Sequence, residues 1–76
     1  MNALEHAIDS LNRLVNAHIR EGRYDWAHDA QAELAAYLEV RDGQPANYGP
    51  YSGDGRRLAL YQEARKTAES LALEGK

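Results

Sequence analysis

The sequence contains no cysteine and no phenylalanine, and it has only one tryptophan, one methionine and two prolines among 76 residues. Without cysteine no disulfide can hold the chain together, and this absence fits a reducing compartment. Large apolar side chains are few, because nine leucines, two isoleucines and two valines accompany thirteen small alanines. A chain of this length forms one small domain with a thin hydrophobic core. Such a core favours either self-association or a segment that stays outside the core.

An excess of positive charge and a long apolar run are also missing. The formal net charge is −3 and the pI is near 5.5. A deficit of basic residues argues against non-specific nucleic-acid binding. No apolar stretch approaches the roughly 20 residues of a membrane span, and the first residues lack the basic-then-apolar order of a secretory signal. We therefore expect a cytoplasmic protein without a membrane segment.

Motifs of covalent, phosphate and metal chemistry are absent or incomplete. The chain has no Gly-x-Ser-x-Gly elbow, and the glycine-rich stretch at 51–55 lacks the lysine of a phosphate loop. Asp25, His28 and Asp29 have the i, i+3, i+4 spacing that places three ligands on one helical face. A dimetal bundle site requires a second such element, and none is present. The sequence predicts no enzyme, no metal site and no cofactor.

The residues that are present have the pattern of a helical protein. Helix 1 is predicted over residues 3–21, because Asn2 and Glu5 have capping-box spacing and Gly22 is a natural stop. Its apolar residues fall within an arc of about 140°, which marks one buried face. They are Leu4, Ala7, Ile8, Leu11, Leu14, Val15 and Ile19.

Helix 2 is predicted over residues 25–41, with a start at Tyr24 or Asp25. Its apolar residues share an arc of about 120°; they are Trp26, Ala27, Ala30, Leu34, Tyr37 and Leu38. The polar side is predicted to carry Asp25, His28, Ala32, Ala35 and Glu39. The link from helix 1 has only two or three residues, so the two helices should form an antiparallel hairpin.

The segment EGRYDWA, residues 21–27, supports this hairpin. It resembles the turn of a tetratricopeptide repeat, in which Gly-x-Tyr-Asp-x-Ala joins two paired helices. The resemblance covers about a third of the chain, and Val15 stands where the repeat has a small residue. Such repeats need about three copies to be stable. The resemblance therefore implies a helix-turn-helix hairpin and does not imply a peptide-binding repeat.

Helix 3 is predicted over residues 55–73, with Ser52 or Asp54 as its cap. The fold class is all-α: a helical hairpin and a third helix form a small three-helix bundle, with helix 3 packed in cis or swapped between subunits. Three alanines at four-residue spacing on helix 3 allow close helix approach, and His18 lies within the apolar arc of helix 1 as a helix or subunit contact that could respond to pH. We predict a homodimer with contacts at His18, Ala64, Ala68 and Ala72.

The link at 42–54 is longer than the two to eight residues usual between neighbouring helices, and long loops are commonly functional or disordered. Tyr48 and Tyr51 in this link either cover the thin core or recognise a partner. We hypothesise a small non-enzymatic adaptor, regulator or inhibitor that binds another protein. Its predicted partner-binding residues are Tyr48, Tyr51, Arg57 and Tyr61. The alternative is a nucleic-acid-associated regulator that uses Arg56, Arg57, Tyr61 and Arg65.

Overall fold

The structure is a computed structural model that describes residues 2–74 and contains three α-helices. Helix α1 spans Ala3–Arg20, α2 spans Tyr24–Arg41 and α3 spans Gly55–Glu74. A short 3-10 turn at Gly49–Tyr51 lies in the link between α2 and α3. No strand occurs within residues 2–74. The predicted all-α fold with three helices is confirmed.

Helix α1 has the predicted caps. The Asn2 side chain accepts a hydrogen bond from the Glu5 backbone N–H at 2.9 Å. Gly22 adopts a left-handed φ of 75°, which ends the helix and turns the chain toward α2. Leu14 and Ile19, predicted on the buried arc, are exposed instead. Leu14 and Ile19 lie at the two edges of that arc, and Ile19 is also in the last turn of α1.

Helix α2 is the middle helix and is buried on two sides. Ala30 and Leu34 pack against the apolar residues of α1, while Ala36 packs against Tyr61 and Ala64 of α3. Ala32 was predicted on a polar side, but it is buried. A helix between two neighbours needs two apolar sides, and small alanines let the second neighbour approach closely. The single apolar arc predicted for helix 2 therefore describes only half of its contacts.

Helix α3 runs parallel to α2 and packs on it within the same chain. Near the start of both helices Arg57 contacts Asp29, and further along Arg65 contacts Glu39. Residue numbers on the two helices thus increase in the same direction. Parallel neighbours cannot be joined by a short turn, because the chain must first return along the length of α2. This return explains why the link at 42–54 is long.

The molecule is wider than it is thick, with extents of 38 × 26 × 15 Å. Helices α1 and α3 flank α2 and contact each other less extensively than each contacts α2. They meet where α1 begins and α3 ends, since Leu4 and Ala68 share one core cluster. At the opposite end, where α1 turns into α2, α3 has not yet begun. No helix within residues 2–74 is long and apolar enough to cross a membrane.

Candidate functional site

The tyrosines of the link face the core of the protein. Tyr61 is fully buried, the Tyr51 ring stacks on it with centroids 4.9 Å apart, and the Tyr48 ring meets its edge at 5.7 Å. The Tyr61 hydroxyl accepts a hydrogen bond from the Asn47 N–H at 2.8 Å and donates one to the Glu39 carboxylate. Tyr61 is therefore a core residue, contrary to its prediction as a partner-binding residue. Tyr51 is half-buried, and Tyr48 remains exposed.

Burial also raises the pKa of the Tyr51 and Tyr61 hydroxyls. Burial raises the pKa of Tyr61, and its hydrogen bond to the ionised Glu39 raises the pKa further. Burial, followed by the nearby Glu39 charge, likewise raises the pKa of Tyr51. Both hydroxyls stay protonated at neutral pH, and the Tyr61 hydroxyl has to be protonated to donate its hydrogen bond to the Glu39 carboxylate. The two rings fasten the link to α3.

The arginines at the start of α3 are compensated by acids of α2. Asp29 is buried, and its carboxylate forms ion pairs with Arg56 at 2.8 Å and with Arg57 at 3.2 Å. Arg65 pairs with Glu39 at 3.2 Å. Arg56, Arg57 and Arg65 were predicted as nucleic-acid contacts in the alternative function. Each of them thus already contacts a carboxylate of the same chain. These pairs hold α3 in register against α2. They also leave the surface around the three arginines with little net positive charge.

Of the three residues with metal-ligand spacing on α2, Asp29 lies inside the fold with two of the helix-contact alanines of α3, whereas Asp25 and His28 are exposed. Asp29 is committed to its two arginines, and within residues 2–74 no group of three or more histidine, aspartate or glutamate side chains is placed to hold a metal ion. Ala64 and Ala68 are buried, Ala68 in the core cluster that the three helices share. Both pack against residues of the same chain, and their predicted role in a homodimer stays a prediction. Ala72 is half-buried near the end of α3.

The largest exposed aromatic surface lies at the hairpin turn. Trp26 was predicted to face inward, but its side chain is 54% exposed, and Tyr24 is 60% exposed. Helix α3 begins beside Asp29, one turn beyond Trp26, so no part of α3 covers the first turn of α2. A shallow depression of about 230 Å³ lies beside Trp26. The chain's single tryptophan is therefore a surface residue.

Two neighbours contact the Trp26 ring without burying it. The Arg23 guanidinium lies 5.3 Å from the ring centroid, and the His18 ring meets the indole edge-on at 5.5 Å. Arg23 Nε donates a hydrogen bond to His18 Nδ1 at 3.1 Å, and Glu21 forms an ion pair with Arg23. His18, predicted at a helix or subunit contact, thus packs within the hairpin. The indole is fixed in an orientation that faces solvent.

Trp26 shares one side of α2 with two further side chains. Glu33 and Tyr37 follow it at seven and eleven residues, spacings that bring side chains to the same side of a helix. Tyr37 packs against both core clusters, so this side of α2 lies between α1 and α3. On α1, Leu14 is exposed and lies one turn before His18. We call the surface formed by Leu14, His18, Trp26, Glu33 and Tyr37 the Trp26 face.

Glu33 is the charged group of the Trp26 face that lacks a counter-ion. Its side chain is half-buried, and among residues 2–74 it forms no ion pair, whereas Asp29 and Glu39 on the same helix both do. Burial raises the pKa of the Glu33 carboxyl, and the negative charge of Asp29 raises it further. The ionised carboxylate is therefore uncompensated by any residue that the structure describes.

Sequence reasoning missed Glu33, although a local signal was present. The residues three and four positions before it are Ala30 and Asp29, and those after it are Ala36 and Tyr37. A glutamate beside an apolar arc, with no basic residue one turn away on either side, has no partner on its own helix. The exposure of Trp26 had no comparable signal, because it depends on where α3 begins.

Comparison of the chain with protein-family models, with curated proteins and with solved structures gives no match.

Proposed function

We propose that this chain is a small non-enzymatic protein-interaction module, acting as an adaptor, regulator or inhibitor, and that it binds its partner through the Trp26 face. The observation that carries the proposal is a half-exposed tryptophan in the first turn of α2 whose ring Arg23 and His18 contact. Tryptophan, tyrosine and arginine are the residues that most often dominate protein-binding energy. Trp26 is such a residue, and the guanidinium of Arg23 lies beside its ring.

The fixed orientation of Trp26 strengthens this proposal. Binding costs free energy when a mobile side chain has to be ordered in the complex. Here Arg23 and His18 contact the indole before any partner arrives. The ring therefore loses little conformational freedom on binding, and more of its contact energy contributes to affinity.

In this proposal the link at 42–54 mainly stabilises the fold and does not recognise the partner. Tyr51 and Tyr61 contribute to stability, since their rings stack in the core. Arg57 positions α3 through Asp29. Of the four partner-binding residues predicted from the sequence, Tyr48 keeps an exposed ring and is the rival site that an experiment must separate from Trp26.

The proposal includes the homodimer that the thin core favours. Ala64 and Ala68 are buried within the chain. We therefore place the dimer contact at the end of α3. Ala72 is half-buried there, and the neighbouring Leu73 is 70% exposed beside Val40. This end of the molecule is separate from the hairpin turn, so dimerisation leaves Trp26 free for another protein.

The nucleic-acid alternative has no comparable support, because Arg56, Arg57 and Arg65 are paired with acids and Tyr61 is buried. Salt dependence separates the two functions. Nucleic-acid affinity falls steeply with salt because counterions are released from the phosphates. We expect the affinity for a protein partner to change far less between about 50 and 200 mM salt.

The test compares two aromatic truncations of similar exposure. A partner is captured from cell extract, identified, purified and titrated against the wild-type chain, Trp26→Ala and Tyr48→Ala. Truncation of an anchoring aromatic costs about 2 kcal/mol or more, which is roughly thirtyfold in Kd. We expect that loss for Trp26→Ala and less than about threefold for Tyr48→Ala. Loss of affinity in Tyr48→Ala alone would assign recognition to the link and contradict the proposal.

A further inference from the structure

The uncompensated Glu33 carboxylate indicates what kind of partner the Trp26 face fits. Along α2 the acids at positions 29 and 39 have arginine partners, whereas the acid at position 33 has none among the described residues. A purely apolar partner would bury this carboxylate further without a counter-ion, which is costly. An acidic partner would add repulsion. A cation of the partner placed against Glu33 would neutralise this charge.

The spacing on α2 fixes where that cation belongs. Trp26 and Glu33 are seven residues apart, about 10.5 Å along the helix axis at 1.5 Å per residue. A helix lying along this side of α2 presents side chains at the same interval when its own residues are seven positions apart. An apolar residue can then contact Trp26 and Leu14 while a lysine or arginine two turns away reaches Glu33. This is the helix-in-groove mode of peptide recognition.

We propose that the Trp26 face binds a cationic amphipathic helix of another protein, which places an apolar side chain on Trp26 and a lysine or arginine against Glu33. The inference rests on the proposed function and deepens it. The formal net charge of −3 favours encounter with such a helix. A second copy fits this face less well, because none of its five residues is a lysine or arginine, so a symmetric contact of Trp26 face on Trp26 face supplies no such cation for Glu33.

The probes are three synthetic helical peptides that contain no tryptophan or tyrosine and differ at one position. Each carries a leucine followed seven residues later by lysine, glutamine or glutamate. Trp26 is the only tryptophan of the chain, so its emission reports binding at this surface. We expect the lysine peptide to bind wild-type protein at least about tenfold more tightly than the glutamine peptide, as close charge pairs at interfaces do.

A double-mutant cycle isolates the charge contact from general attraction. In Glu33→Gln the preference for the lysine peptide should fall to less than about twofold. Glu63→Gln is the matched control: it removes the same charge from an exposed position on α3 and should keep the preference. Trp26→Ala should weaken all peptides alike, which is measured by the anisotropy of a fluorescent label on the peptide.

Several results overturn the inference. They are equal affinity for the lysine and glutamine peptides, an equal effect of Glu63→Gln and Glu33→Gln, and no binding of the lysine peptide at millimolar concentration. If the natural partner still depends on Trp26 in those cases, the proposed function stands and only the cationic helix fails. A blue shift of Trp26 with phosphatidylcholine vesicles, and none with peptides, would make this a lipid-binding surface and overturn the inference as well.

Discussion

Replacement of Tyr61 by phenylalanine tests how much its buried hydroxyl contributes to stability. The change keeps the ring that stacks with Tyr51 and removes only the hydroxyl. That hydroxyl accepts a hydrogen bond from Asn47 N–H at 2.8 Å and donates one to Glu39. A hydrogen bond to a charged group contributes about 1.5–3 kcal/mol, and a buried donor left unpaired costs about 1–3 kcal/mol.

We expect Tyr61→Phe to lower the free energy of unfolding by about 2 kcal/mol. Glu39 keeps its ion pair with Arg65, which limits the loss to the lower part of the range. For a domain of 60–100 residues each kcal/mol shifts Tm by roughly 4–8 °C, so Tm should fall by about 8–16 °C. Thermal and urea unfolding followed by far-UV circular dichroism at pH 7 measure both quantities.

The matched control is Tyr24→Phe, which removes a hydroxyl from a ring that is 60% exposed. A surface change of this kind should stay within about 0.5 kcal/mol of wild type. Equal stabilities of the Tyr61 and Tyr24 variants would refute the reasoning, because the Tyr61 hydroxyl would then contribute nothing beyond an exposed one.

Three further predictions concern Glu33, the tyrosines of the link and the end of α3. Because burial and Asp29 raise the pKa of Glu33 above its ordinary 4.5, its ionised form opposes folding; Glu33→Gln should therefore raise Tm at pH 7, and the gain should vanish as the pH falls below 4.5. A constant gain across this pH range would contradict the assignment. The double variant Tyr48→Ala, Tyr51→Ala should lower the unfolding free energy by about 2 kcal/mol or more without a selective loss of partner binding. Sedimentation equilibrium should give about twice the chain mass of 8.5 kDa, and Leu73→Glu should give the monomer mass; a wild-type monomer would refute the dimer.

The local structure could be predicted from the sequence where one helix has one neighbour. Helix α1 packs mainly on α2, so a single apolar arc and the cap at Asn2 identify its bounds and most of its buried residues. Helix α2 contacts two neighbours, and a one-arc interpretation placed the buried Ala32 on the outside. The unusual length of the link was visible in the sequence, but the direction of α3 depends on contacts far apart in sequence, such as Arg57 with Asp29.

The candidate site was harder to predict, because exposure is decided by the tertiary arrangement. Trp26 and Tyr61 are both aromatic residues on helical arcs, yet one is exposed and the other is fully buried. The difference arises because α3 starts beside Asp29 and the link returns over Tyr61. Neither fact is encoded in the residues adjacent to these rings. Periodicity could therefore locate the helices but could not identify their uncovered end.

The most direct test of partner binding at the Trp26 face is acrylamide quenching of the chain's single tryptophan, with and without a saturating amount of the purified partner. A ring that is 54% exposed should be readily quenched in the free protein. The account predicts that the partner shifts the Trp26 emission to shorter wavelength and lowers the quenching constant at least about threefold, as burial of an anchoring aromatic requires. A partner that binds fully while the emission and the quenching constant stay unchanged would contradict it.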